Sequence, residues 1–126
     1  MAKILVVDDS PSEMAKFRDI LTRHQYEVIE AHTGDDGIQK ANEFFPDVIL
    51  MDVVMPGQNG FQLTRAISRD PQYSDIPIIM CTSKNQETDR VWGMRQGARG
   101  YITKPVNAVE LQAKIDALSW GAAFSM

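Results

Sequence analysis

The sequence predicts an α/β fold, a doubly wound sheet of five parallel strands with five helices covering both faces. Short, unbroken apolar runs bounded by turn residues recur along the chain: Ile4-Leu5-Val6-Val7, Val48-Ile49-Leu50-Met51, Ile78-Ile79-Met80-Cys81 and Tyr101-Ile102-Thr103. Strands buried on both faces of a parallel sheet read in this way. Stretches whose apolar residues fall at helical spacing alternate with these runs. Each run also leads directly into polar functional groups: Asp8-Asp9, Asp52, Thr82-Ser83 and Lys104-Pro105.

The elements follow in order. After Asp9, Ser10-Pro11-Ser12-Glu13 combines an N-cap, a Pro at the first helical position and a capping-box Glu. Met14, Phe17, Ile20 and Leu21 then mark one face of the first helix. Residues 26–31 read as a strand with Val28 and Ile29 at its centre. Thr33-Gly34-Asp35-Asp36 opens a second helix carrying Ile38, Ala41 and Phe45, and Pro46 closes it. Pro56-Gly57-Gln58-Asn59-Gly60 is loop chemistry, followed by a helix bearing Phe61, Leu63 and Ile67. Residues 70–75 form a polar loop, and residues 85–96 read as a fourth helix stopped by Gly97. Asn107-Ala108-Val109-Glu110 is a second capping box, starting a last helix through Leu111, Ile115 and Leu118. One domain is expected over residues 1–118, with a short apolar tail at 119–126 to which the residues assign no role.

Composition narrows the function. A chain of 126 residues with 44% hydrophobic content builds one core, and no separate output domain is expected. A formal charge of -4, without clustered Lys and Arg, argues against a nucleic-acid partner. Cys81, the one cysteine, lies in an apolar run and reads as a buried, inert thiol with no intramolecular disulfide. His24 and His32 have no ligand-like spacing and read as surface residues, while Met14, Met51, Met55, Met80 and Met94 read as core and loop packing. No apolar stretch reaches the roughly 18 residues of a membrane span. No signal-peptide core precedes Asp8, so a cytoplasmic protein without membrane contact is expected.

Ligands of open parallel sheets bind outside the carboxyl ends of the strands. Asp8, Asp9, Asp52, the Thr82 hydroxyl and the Lys104 ammonium should therefore converge on one sheet edge. Carboxylates at that density cannot all stay ionised without a cation. Mg²⁺ is the usual divalent choice for carboxylate, carbonyl and water oxygens. A Lys and a hydroxyl beyond such an ion complete a phosphate site, so the chain is expected to carry a phosphoryl group.

With these residues in hand, the chain resembles the receiver domain of bacterial two-component response regulators, the single-domain CheY-like kind, over residues 2 to about 118. The motifs are Asp8-Asp9, the run from Asp52 through Val53-Val54-Met55-Pro56-Gly57-Gln58-Asn59-Gly60, Thr82-Ser83, and Tyr101 followed by Lys104-Pro105. The strand order 2-1-3-4-5 comes from this flavodoxin-like resemblance, since element order alone does not set it. Within the family, the segments from Gln86 to Gly93 and from Arg95 to Arg99 are similar to PilH-type receivers, which serve chemotaxis-like systems controlling type IV pili.

The resemblance implies a role for each residue, beside a plainer reading. Asp52 is the implied phosphoacceptor, attacking the phosphohistidine of a partner kinase; the plainer reading is a surface Asp capping a loop. Asp9 is implied to bind Mg²⁺ directly, Asp8 directly or through water, and the Val54 backbone carbonyl as a further ligand. Both acids would also suit the N-terminus of the following helix. Lys104 is implied to touch a phosphoryl oxygen, and its bond to Pro105 is usually cis in the family. Thr82 either donates to the phosphoryl group or makes a local turn before a helix, and only the resemblance separates the two. Tyr101 resembles the family's switch aromatic, although a Tyr in a strand is often simple packing. Trp92, Arg95 and Arg99 would belong to the surface of the fourth helix, fifth strand and fifth helix, where a downstream motor or pilus protein would dock, although the plainer reading of Trp92 is a partly buried side chain.

A rival reading is a Mg²⁺-dependent phosphatase with an aspartyl-phosphate intermediate. That class carries a second Asp two positions after the nucleophile, where this chain has Val54. A nucleotide-binding domain would need glycines after the first strand instead of Asp8-Asp9-Ser10-Pro11. A structural module that never meets phosphate would not need every acid and the Lys together.

Overall fold

The structure is a computed structural model that describes residues 1–118; the expected tail at 119–126 lies outside them. The main strands are β1 (Lys3–Val7), β2 (Glu27–Ala31), β3 (Val48–Met51), β4 (Ile78–Thr82) and β5 (Gly100–Thr103). The helices are α1 (Pro11–Arg23), α2 (Gly34–Phe44), α3 (Gly60–Arg69), α4 (Glu87–Arg95) and α5 (Ala108–Asp116). All neighbouring main strands pair in parallel, in the order β2-β1-β3-β4-β5. Between β3 and α3 the chain makes a small antiparallel hairpin, Val54–Met55 against Gln58–Asn59.

Strand periodicity of two divides each apolar run between two cores. Ile4, Val6, Val48, Leu50, Ile79, Cys81 and Ile102 face Met14, Phe17 and Leu21 of α1 and Leu111 and Ile115 of α5. Leu5, Val7, Ile49, Met51 and Ile78 face the other way, with Ala41 of α2 and Ile67 of α3. A smaller cluster of Val53, Phe61, Met80, Ala98 and Tyr101 sits towards the β4–β5 side. The apolar runs of β1, β3 and β4 carry no polar interruption because both their faces are covered, whereas the edge strand β2 carries Glu27 and Glu30.

Helix ends follow local chemistry with some differences. Ser10 caps α1 by accepting the Glu13 N–H, but the capping box is not closed by Glu13: the Ser10 N–H donates to Asp8 Oδ1 at 2.9 Å. Thr33 and Asn107 cap α2 and α5 through the Asp36 and Glu110 N–H groups. α4 begins at Glu87, two residues later than the sequence suggests, with the Gln86 N–H donating to Asp89 Oδ2. Gly97, at φ 111°, follows the end of this helix. α2 packs through Gly34, Gly37 and Ala41, whereas Ile38 and Phe45, which the sequence places on its apolar face, are 38% and 52% exposed. Phe45 takes a left-handed conformation just past the last helical residue, which turns its ring out to lie 6.0 Å from the Tyr73 ring. Tyr73 is the correction to the polar loop at 70–75: it is buried, and its hydroxyl donates to Asn42 Oδ1 at 2.8 Å. Met94, read from sequence as packing, is 39% exposed.

Candidate functional site

The ends of β1, β3 and β5 deliver the predicted groups to one edge of the sheet. The strands are in register there, Val7 opposite Met51 and Thr82 opposite Thr103, so the residue after each strand lies at nearly the same level. Asp8 and Asp52 are held by the ladder itself, through Asp8 N–H to the Ala31 carbonyl and Asp52 N–H to the Val7 carbonyl, both 3.0 Å. The Lys104 N–H likewise donates to the Thr82 carbonyl at 2.8 Å. The Lys104–Pro105 bond is cis, as the resemblance implied.

The three acids and Lys104 meet at this edge. Asp8 and Asp52 are buried, Asp9 is exposed, and a carboxylate oxygen from each lies within 4.8 Å of the others. Lys104 Nζ donates to Asp8 Oδ2 at 2.7 Å and Asp52 Oδ2 at 3.3 Å. The remaining oxygens of the buried acids also have donors: Ser10 N–H for Asp8 Oδ1, and Val54 N–H for Asp52 Oδ1 at 3.1 Å. The two buried acids thus share one ammonium, which offsets a single negative charge. Burial lifts the Asp52 carboxyl above its ordinary range, against the opposing pull of Lys104 and the Val54 N–H. For Lys104, burial works against the charge, but the bonds to Asp8 and Asp52 outweigh it and its pKa is raised. Three carboxylates against one ammonium, the oxygen-only donor set and the open side at Asp9 fit a small divalent cation.

Thr82 and Tyr101 are joined through one residue. The Thr82 hydroxyl, fully buried, accepts the Lys84 N–H at 3.3 Å, the local turn that the plainer reading anticipates. The Tyr101 hydroxyl donates to the Lys84 carbonyl at 2.8 Å. Tyr101 is 8% exposed, and burial pushes its phenol up to about 12, so it stays a donor throughout the physiological range. Trp92 is 50% exposed on α4, and Arg95 and Arg99 are exposed nearby in sequence.

Some contributors are invisible to motif reading. Gly60 begins α3 against the site: a Cβ there would lie 2.3 Å from the Asp52 carbonyl oxygen and 2.6 Å from Val53 Cα. The sequence marks Gly60 as loop chemistry and as the end of the motif run from Asp52, but the close approach of two backbones that requires a glycine there has no local signature. Beside the hairpin opens a cleft of about 320 Å³ lined by Val53, Val54, Met55, Gln58, Asn59, Phe61 and Lys84. Its polar lining comes from Gln58, Asn59 and Lys84.

An acid pair and an Asp converging with a Lys at the carboxyl edge of a 2-1-3-4-5 sheet define a class. The chain belongs to the response regulator receiver domain family, whose model matches residues 4–116. It is 53% identical over 121 residues to protein PilH of Pseudomonas aeruginosa, covering 96% of this chain and 100% of that protein. It is 39% identical over 118 residues to the phosphate regulon transcriptional regulatory protein PhoB of Escherichia coli, of which the match spans 51%. The solved structure of the chemotaxis response regulator CheY4 of Vibrio cholerae superposes with a TM-score of 0.85 at 35% identity, over 92% of this chain and 97% of that one. A CheY-like receiver domain protein from Methanospirillum hungatei gives 0.84 at 30% identity, over 92% and 91%. No helix among the described residues is long and apolar enough to cross a membrane.

Proposed function

We propose that this protein is a phosphorylation-controlled switch that accepts a phosphoryl group from a histidine kinase onto Asp52. The observation that carries the reading is the seating of the Asp52 carboxylate between the Val54 N–H and the Lys104 ammonium, with Asp8 and Asp9 alongside. Asp52 attacks the phosphorus of the donor phosphohistidine; the P–N bond breaks, the imidazole leaves, and an acyl phosphate forms on the carboxylate. Lys104 is placed to follow the charge, moving its bond from Asp52 Oδ2 to a phosphoryl oxygen while Asp8 keeps it oriented. Asp8, Asp9, Asp52 and the Val54 carbonyl would hold Mg²⁺, which supplies charge neutralisation for the attacking and transferred oxygens. Thr82 then turns its hydroxyl to the phosphoryl group, releasing the Lys84 N–H and changing the restraint on Tyr101 through the same residue.

The resemblance to PilH-type receivers, supported by the 53% identity to PilH, favours a chemotaxis-type kinase and a cytoplasmic role in pilus-based motility. Output would pass through the surface of α4, β5 and α5 to a motor or pilus protein, or by draining phosphoryl groups from a shared kinase. The phosphatase alternative is disfavoured by Val54, which offers no acid two residues after Asp52.

The test is labelling by acetyl phosphate and by a panel of phosphorylated histidine kinases. Labelling should need Mg²⁺ or Mn²⁺ and vanish in Asp52→Asn. Undiminished labelling of Asp52→Asn at Ser10, Thr82 or Ser83 would refute the assignment. Multiple turnovers of a small phosphomonoester would favour the phosphatase.

A further inference from the structure

The hairpin after β3 buries Met55 in the core beside Ala41 and Ile67, and it is tied down further at its inner and outer ends, of which only the inner belongs to the site itself. At the inner end, Gly60 rests on the Asp52 backbone and its N–H donates to the Val53 carbonyl at 3.1 Å. At the outer end, Gln58 lies across the first turn of α2. Its Nε2 donates to Asp35 Oδ1 at 3.1 Å, while its Oε1 is buried without a hydrogen-bond partner. A Cβ at Gly34 would lie 2.0 Å from that oxygen and 2.7 Å from Gln58 Cδ. The amide therefore fills the space that a side chain at position 34 would need.

An amide oxygen buried without a donor is costly, and a surface Gln has easy alternatives in water. Its position beside the first residue of α2 offers partial compensation, because the unpaired N–H groups of a helix start carry positive potential. The other face of the arrangement is functional. Gln58 pairs in register with Met55, and Asn59 with Val54, so the two short strands move as a unit. A two-stranded hairpin is marginal alone in water. Val54, at its inner strand, supplies the N–H that holds Asp52 Oδ1.

We propose that Gln58 is a positioning residue: laid over Gly34 and tied to Asp35, it clamps the hairpin to α2 and thereby sets Val54 against Asp52 and the metal-binding acids. This deepens the phosphoacceptor reading and rests on it for its consequence, though not for the clamp itself. Gln58 touches no reacting group; it acts through the hairpin.

The experiment compares wild type with Gln58→Ala, Asp35→Ala, Asp35→Asn, Gly34→Ala and the double variant Gly34→Ala/Gln58→Ala. Amide hydrogen exchange of metal-free protein, Mg²⁺ affinity by calorimetry and labelling by acetyl phosphate are read for each. Gln58→Ala and Asp35→Ala should speed exchange in residues 54–59 while leaving the main sheet protected, and weaken Mg²⁺ binding roughly tenfold, as loss of a supporting contact behind metal ligands does. Asp35→Asn keeps an acceptor and should stay near wild type. Gly34→Ala should reproduce the loss by expelling the amide, and the double variant should be no worse than Gln58→Ala, because the added methyl then has room once the flexible Leu63 side chain yields. Wild-type hairpin exchange and Mg²⁺ affinity in Gln58→Ala would overturn the clamp, as would fully additive losses in the double variant. If wild type neither binds Mg²⁺ nor labels on Asp52, the phosphoacceptor reading falls instead, and hairpin exchange still judges the clamp.

Discussion

The three acids of the site differ in what each does for the fold. Asp8 is buried and accepts from both Ser10 N–H and Lys104 Nζ, whereas Asp9 is exposed. Asp8→Ala should destabilise the metal-free protein by about 2–3 kcal/mol, below the usual cost of stripping a buried charge pair because Asp52 still faces the ammonium. Asp9→Asn should fall within about 0.5 kcal/mol of wild type, as exposed substitutions do. Urea unfolding without metal checks both, and equal losses would mean that Asp9 is also structural. Asp52 adds a pH dependence. Its raised native pKa means that the folded state keeps a proton which the unfolded chain has already lost, so stability falls as pH rises from the ordinary Asp value through the native one. Asp52→Asn removes that slope, and its stability relative to wild type should rise through the mildly acidic range. A constant difference would show that the carboxyl is no harder to ionise folded than unfolded. Lys104 acts at the alkaline end: its contribution is full below the ordinary Lys value and is lost as pH rises through its raised native one.

Among the helices, anchoring is uneven. α1 buries Met14, Phe17 and Leu21 and α5 buries Leu111 and Ile115, but α4 buries only Gly93 of its nine residues. A helix that short is marginal without packing, so α4 is the helix most easily shifted by a change at its start. That start is tied to the site by Lys84, whose N–H and carbonyl meet Thr82 and Tyr101. Thr82→Ala should therefore still accept phosphate on Asp52, because the nucleophile and acids are intact, yet lose the shift in α4. A ligand moves an equilibrium only through contacts that differ between the states. Trp92 fluorescence, with Trp120 replaced by Phe, should change on phosphorylation in wild type and much less in Thr82→Ala. An undiminished response would route the signal through the hairpin after β3.

For the whole molecule, the site and the fold are coupled through charge. Two cores on opposite faces of one sheet hold the strand ends, and of the charge on the acids they bring together one ammonium offsets only a part in the metal-free state. A cation that binds only the native state stabilises it by mass action, by about 2.7 kcal/mol at one hundred times its dissociation constant. Mg²⁺ should accordingly raise the Tm by several degrees, and Asp9→Asn should lose most of that increment while keeping the metal-free Tm. If Mg²⁺ stabilises Asp9→Asn as fully as wild type, the ion binds elsewhere.

The alternation of apolar runs with helical stretches was sufficient to predict the parallel sheet, because strands covered on both faces tolerate no polar interruption. It also placed Asp8, Asp9, Asp52, Thr82 and Lys104 at one edge, since strand ends in such a sheet share a direction. Caps were legible for the same local reason: Ser10, Thr33 and Asn107 act within one turn of themselves. The tertiary structure decided what depends on partners far apart in the chain. Tyr73, in a stretch that reads as polar loop, is buried because Asn42 meets its hydroxyl. Ile38 and Phe45 are exposed because α2 packs through glycines and Ala41 instead. The pairing of Lys104 with both Asp8 and Asp52, the junction at Lys84 and the seat of Gln58 over Gly34 join residues brought together only by the folded chain. Periodicity and capping are local properties and can be read along a line; charge sharing and steric fit are relations across space, and they exist only once the chain has folded.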